Sequence, residues 1–179
     1  MPRSVVLAAV GFLSALVIVA TATAMHRRTA NIEPSDRVHG MLVVQGTSSQ
    51  AEGDLFGLLC APNIAKPGRY RRTCSEVSRV TRLFVGYGMW GSKATIQRGW
   101  NPSEWSMWID GKSVSLAAFG STDRTLYHYQ PAGGRDVTLR EWSVTLMRPT
   151  PGRHTIRYRF GPSPQRTFDA TWVFTVSEE

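Results

Sequence analysis

Lysine is scarce in this chain of 179 residues: Lys66, Lys93 and Lys112 are the only three among 21 basic residues. Acidic residues number 13, leaving a formal charge of +8. Cysteine occurs twice, as Cys60 and Cys74, with no Cys-x-x-Cys spacing, and His26, His39, His128 and His154 do not cluster. These scarcities argue against a zinc-type metal site. No G-x-S-x-G elbow and no H-E-x-x-H occur, so two hydrolase signatures are missing. Asn101-Pro102-Ser103 is no glycosylation acceptor, because proline holds the middle position. There is no internal repeat and no long amphipathic helix. No catalytic residue can be named from these patterns, and no cofactor or metal is implied.

What is present is arginine, aromatic residues and short β-type runs. The positive excess suits anionic partners such as phospholipid head groups, acidic envelope polymers or nucleic acid. An arginine bias also follows from a GC-rich coding sequence, so a generally basic surface stands beside a dedicated anion site. Aromatic and aliphatic residues are plentiful, as in a globular chain with a core of its own.

The first segment bears on compartment. Arg3 is followed by an almost wholly apolar run, Val5 to Ala22, and then by the small-x-small site Ala22-Thr23-Ala24. This is the layout of a secretory signal peptide over residues 1–24, cleaved after Ala24. The run is also just long enough to span a bilayer, so an uncleaved anchor is the alternative. Arg27 and Arg28 nearly balance the charge on its two flanks, which leaves the positive-inside rule little to act on. Cleavage, or an anchor with its amino terminus inside, places the rest of the chain outside the cytoplasm, secreted or membrane-anchored. Cys60 and Cys74 then read as a disulfide, worth on the order of 3 kcal/mol for so short a loop. Two buried free thiols are the other reading.

Residues 25–36 read as a linker and 37–179 as one domain. Runs at 38–45, 54–59, 78–87, 104–110, 112–118, 124–130, 137–147, 153–160 and 167–177 are separated by Gly, Pro and Asp, which argues an all-β sandwich or barrel. Residues 92–98 have room for one helical turn. In the last runs the alternation is clean. Trp142, Val144 and Leu146 share a face, as do His154, Ile156, Tyr158 and Phe160, with Thr155, Arg157 and Arg159 opposite. Phe168, Ala170, Trp172, Phe174 and Val176 share another. Such alternation marks a half-buried antiparallel sheet. Pairing the two final apolar faces sets Tyr158 opposite Ala170, Ile156 opposite Trp172, and Arg159 opposite Asp169.

These runs, with Pro149-Thr150-Pro151-Gly152 between them, resemble the end of bacterial immunoglobulin-like or fibronectin type III-like domains. The resemblance implies an antiparallel β-sandwich in which they are strands E, F and G, and an extracytoplasmic binding or accessory role. It covers the C-terminal strands only and brings no catalytic residue. The inter-sheet Cys…Trp…Cys pattern is missing, since Cys60 and Cys74 lie too close together.

Gly86-Tyr87-Gly88-Met89-Trp90-Gly91 matches the dinucleotide fingerprint. That reading needs a helix inside a βαβ unit, which the following residues do not suggest. The glycines fit a bulge or bend better. His154, alternating with apolar residues, reads as a hydrogen-bonded core histidine.

Two binding candidates remain. The first is the loop 60–74, CAPNIAKPGRYRRTC, where Lys66, Arg69, Arg71 and Arg72 surround Tyr70; guanidinium groups bind phosphate and carboxylate bidentately. The second is aromatic: Trp108, Tyr127 and Tyr129, with Trp90 and Trp100 nearby in sequence, offer flat rings for sugars or a protein partner. At least four of the six tryptophans are expected in the core. Asp110-Gly111 is the favoured centre of a two-residue hairpin turn, pairing Ile109 with Lys112, Met107 with Val114 and Trp105 with Leu116. Trp108 then faces serines, and cover is expected from Tyr127–Tyr129 or the Trp100 loop. The expected function is a non-catalytic module that binds or scaffolds at the cell envelope through anionic polymer, lipid head groups, glycan or a protein partner. Nucleic acid does not fit that compartment. The alternative is a secreted hydrolase of an envelope polymer or polysaccharide, with an acid/base pair among Glu104, Asp110, Asp123 and Asp136.

Overall fold

In the computed structural model, residues 30–60, 66–78, 80–163 and 166–178 are described. The apolar leader and residues 25–29 of the linker lie outside them. The chain runs β1 (Arg37–Val38), β2 (Met41–Gln45), β3 (Gly53–Asp54), a π-helical turn (Leu55–Leu59), β4 (Gly68–Thr73), β5 (Arg82–Phe84), β6 (Gly88–Gly91) and α1 (Lys93–Gly99). It continues with β7 (Trp105–Ile109), β8 (Lys112–Val114), α2 (Leu116–Phe119), β9 (Ser121–Tyr129), β10 (Arg135–Trp142), β11 (Val144–Met147), β12 (Gly152–Phe160) and β13 (Phe168–Val176). The fold is mostly β, as the spacing of the runs predicts.

Three sheets result, ordered β4-β13-β12-β7-β8, β1-β2-β11-β5-β3 and β6-β10-β9. Not all pairing is antiparallel: β4 runs parallel to β13, and β3 parallel to β5. Only Ser143 separates β10 from β11. Its N–H donates to Gly120 O and its carbonyl accepts from Gly46 N, so the two smaller ladders meet along one bent strand.

Apolar alternation sets the core. Met107, Ile109, Ile156, Tyr158, Ala170, Trp172 and Phe174 from one sheet join Val43, Leu83, Val144 and Leu146 from the second in one buried cluster. Phe56 enters it from the π-helical turn, 4.7 Å from Trp172 and 5.1 Å from Tyr87 between ring centroids. The expected strand 54–59 therefore fails beyond Asp54, whose carboxylate accepts from the N–H of Phe56 and Gly57 and turns the chain. Tyr158 crosses the core and donates from Oη to Val85 O at 3.1 Å. Four tryptophans serve this core as expected: Trp142 and Trp172 within it, Trp100 and Trp105 packed against it. Ile32, inside the stretch read as linker, is fully buried and bridges to Val114.

Registers that follow from alternation are observed. Tyr158 pairs with Ala170, Ile156 with Trp172 and Arg159 with Asp169. Asp110 and Gly111 take φ of 48° and 79°, and Ile109 pairs with Lys112, Met107 with Val114. Trp105 does not meet Leu116, because Leu116 begins α2. In the glycine-rich stretch, α1 opens after Ser92, whose Oγ accepts from Thr95 N. The strand before it, β6, is antiparallel to β10, so no βαβ unit forms. Gly86 and Gly88 let the backbone of Trp142 and Arg140 approach where a Cβ would collide with their carbonyl oxygens.

Candidate anion-binding face

The segment 60–74 is not simply a loop. Cys60 and Cys74 are joined, and between them Gly68–Thr73 forms β4, an edge strand beside β13. Alternation splits its side chains. Tyr70 pairs with the core residue Ala170, packs on the core and donates from its hydroxyl to Lys66 O at 2.7 Å. Arg72 shares that side by register with Trp172, though it is exposed. Arg69 and Arg71 fall on the other side. The expected single cluster of Lys66, Arg69, Arg71 and Arg72 around Tyr70 is thus divided.

The outward side of β4 joins the outward sides of β13, β12 and β7. Two rows cross the sheet: Arg69, Asp169, Arg159, Ser106; and Arg71, Thr171, Arg157, Trp108, the last beside Ser113 of β8. Arg153 and Thr155 continue this face along β12. Parallel pairing of β4 therefore places two of the sequence candidates, the arginine segment and Trp108, on one surface. Arg153, Arg157 and Arg159 belong to it as well. Their period-two spacing in the sequence was a signal for them, once β4 is known to be a neighbour.

Trp108 is half-buried under a guanidinium. Arg157 Cζ lies 4.7 Å from the indole centroid. The same group makes a fork to Asp169, Nε to Oδ1 at 2.7 Å and Nη2 to Oδ2 at 2.7 Å. Asp169 thus pairs by hydrogen bonds with the diagonal Arg157, not with its register partner Arg159. Arg69 Nε approaches the same carboxylate at 3.8 Å, on a side chain that is 91% exposed. The hydrogen bonds from Arg157, aided by the charges of Arg157, Arg69 and Arg159, hold the Asp169 carboxyl below its ordinary range against a burial effect. It is a fixed anion, and no other acidic residue occurs in these five strands.

Cover for Trp108 therefore comes from β12, not from Tyr127–Tyr129 or the Trp100 loop. Trp100 packs on Trp105 and Trp142 at 5.0 and 5.1 Å. Tyr127 and Tyr129 lie on β9 in the three-stranded sheet, where Tyr129 meets Trp90 edge-on at 5.2 Å and Tyr127 is 74% exposed. The aromatic candidates do not form one site.

The four carboxylates named for acid/base work have four separate partners. Glu104 accepts from Asn101, Asp110 pairs with His154, Asp123 forms a fork with Arg140, and Asp136 accepts from His128 N. His154 is buried, as expected of a core histidine. Glu141 carries no apolar-pattern signal and was not predictable. It is buried on the side of β10 opposite Trp142, accepting from Ser48 Oγ at 2.8 Å and Arg124 Nε at 3.1 Å; burial raises its carboxyl despite those donors. A shallow hollow of about 250 Å³ lies on the same side of β2 and β11, lined mainly by Leu42, Val44, Arg82 and Met147, but Glu141 does not line it. Among the described residues no group of three His, Cys, Asp or Glu is placed to hold a metal ion, and no helix is long and apolar enough to cross a membrane.

Compared with known proteins, the chain matches no family model, no curated protein and no solved structure.

Proposed function

We propose that this chain is an exported or membrane-tethered, non-catalytic module of immunoglobulin-like β-sandwich architecture that binds an anionic ligand of the cell envelope. One observation carries the reading. Five guanidinium groups, Arg69, Arg71, Arg153, Arg157 and Arg159, share one sheet face whose strands carry a single carboxylate, Asp169, that Arg157 already engages; Asp110, at the β7–β8 turn, is engaged by His154 and Thr155. A surface with this imbalance raises the local concentration of anions, and guanidinium suits carboxylate, sulfate and phosphate alike. The Cys60–Cys74 bridge supports an oxidising compartment, as does the leader-like run Val5 to Ala22.

The test is retention on an anionic matrix such as dextran sulfate. The triple variant Arg69→Ala, Arg71→Ala, Arg159→Ala leaves the core intact and is expected to elute at clearly lower salt than wild type. A control triple outside this sheet, Arg82→Ala, Arg98→Ala, Arg135→Ala, removes equal charge and is expected to shift elution less. Equal shifts would reject this face as the site.

A further inference from the structure

The most ordered part of the arginine face is also the part where a free anion has no room. Arg157 and Arg69 are the two guanidinium groups that converge on one point, and the Asp169 carboxylate already fills it. Among the described residues, no side-chain hydrogen bond or contact ion pair engages the guanidinium groups of Arg71, Arg153 or Arg159. These three are dispersed. Residues two apart on a strand are separated by about 6.6 Å, and β4 and β12 flank β13 at roughly 9.5 Å from one another. That grid suits charges repeated along a chain better than the oxygens of one small anion.

Besides Asp169 and the buried Val173, the groups beside the cations on this face carry hydroxyls: Thr171 between Arg71 and Arg157, Thr155 between Arg153 and Arg157, and Ser106 next to Arg159, with Ser113 at the β8 edge. Alternating cations and hydroxyls match a ligand that alternates carboxylates and hydroxyls. The face offers little to a bilayer or to bases. Its one large aromatic residue, Trp108, lies beneath Arg157, and the exposed Trp90 and Tyr127 belong to another sheet. Interfacial binding uses apolar groups that enter the lipid, and single-stranded nucleic acid uses open aromatic faces.

We infer that the ligand of this face is an acidic polysaccharide bound through several dispersed arginines at once, with Asp169 as a built-in occupant that keeps single small anions out of the Arg69–Arg157 point. This rests on the reading of the face as an anion site and adds the ligand class and the role of Asp169.

Titration of the full chain with mono-, tri- and octagalacturonate tests it. No measurable binding is expected for the monomer, and affinity should rise by about tenfold or more from trimer to octamer, as multivalent contacts add. Asp169→Ala should bind monogalacturonate and sulfate where wild type does not, because two guanidinium groups then converge on a vacated point. Asp169→Asn, which leaves the point filled by a neutral group, should gain less. Melting curves of both variants establish that they are folded. Binding of monomer and octamer with equal affinity per molecule would overturn the polymer inference while leaving the anion-binding reading standing. So would tighter binding to phosphatidylglycerol vesicles or oligo-dT than to the octamer. Failure of wild type to bind any of these probes would instead reject the anion-binding reading itself. No gain of sulfate binding in a folded Asp169→Ala would remove the role given to Asp169.

Discussion

Replacing His154 by glutamine tests how the hairpin turn is locked to β12. Both ring nitrogens of His154 face acceptors: Nδ1 is 2.8 Å from Asp110 Oδ2, and Nε2 is 2.8 Å from Thr150 O. The Thr150 hydroxyl is farther from Nε2, at 3.4 Å. A neutral ring would set a lone pair against one of those oxygens, so the geometry fits a doubly protonated ring at pH below its raised value. The hydrogen bond to Asp110 raises the imidazole above its ordinary value, burial opposes this, and Thr150 O adds to the rise. For Asp110, burial pushes the carboxyl up, but hydrogen bonds from His154 and Thr155 N, then the charges of His154 and His39, hold it below its ordinary value. The pair is enclosed, with side chains 5% and 9% exposed, and the other titratable group facing it is His39, 3.9 Å from Asp110. His154→Gln leaves Asp110 with Thr155 N and no enclosed cation, a loss of about 2–4 kcal/mol. At about 2–4 °C per kcal/mol, the melting temperature falls measurably. The histidine contribution is complete below about pH 6.5 and is lost as pH rises through the raised folded value; the aspartate contribution is present above about pH 3.9 and is lost as pH falls through the lowered one. Urea unfolding of both proteins should therefore show the widest gap between those limits and a narrower gap near pH 9. A gap that does not change with pH would refute the imidazolium assignment. So would nitrogen NMR showing one protonated ring nitrogen in the acid part of that window.

Three further outcomes are expected. Arg157→Ala should raise acrylamide quenching of the tryptophan emission, and the increase should vanish in a Trp108→Phe background; an unchanged signal means that Arg157 is not the cover. Reducing or replacing Cys60–Cys74 should destabilise the protein by on the order of 3 kcal/mol and expose β4 to proteolysis; equal stability of the double serine variant by urea unfolding would contradict this. Burial raises Glu141, so wild type should lose stability as pH rises from its unfolded value through the raised one; Glu141→Gln should lack that loss in pH-dependent melting curves.

Strands with an apolar face were legible because burial writes period two into the sequence. This held for β12, β13 and the β7–β8 turn, down to single registers. β4 was not legible. Only Tyr70 among Gly68–Thr73 is even half-buried, so the strand exists through its ladder with β13 and carries almost no alternation. The arginines that hid it as a loop also suit an edge strand, because charge there discourages further pairing. The site divided in the same way. Arg69, Arg71 and Trp108 were found separately, but their meeting depends on two strands about a hundred residues apart in sequence. Tyr70 faces the core rather than its neighbouring arginines, a sidedness that the loop reading could not show. Asp169 was read as a register marker for Arg159; its fork to Arg157 depends on a diagonal contact that alternation does not specify.

The same parallel pairing fixes an order of events. β4 leaves the ribosome long before β13, and each hydrogen bond that makes it a strand needs residues 167–175. The Cys60–Cys74 pair is local and requires no distant segment, so oxidation can tether the arginine segment early. Its docking must wait for the end of the chain, since long-range contacts form only after a large closure entropy has been met. The arginine face is therefore among the last surfaces to be completed. A nascent or C-terminally truncated chain has its charges but not their arrangement, so the ligand binding proposed for this face would report that the whole domain has closed.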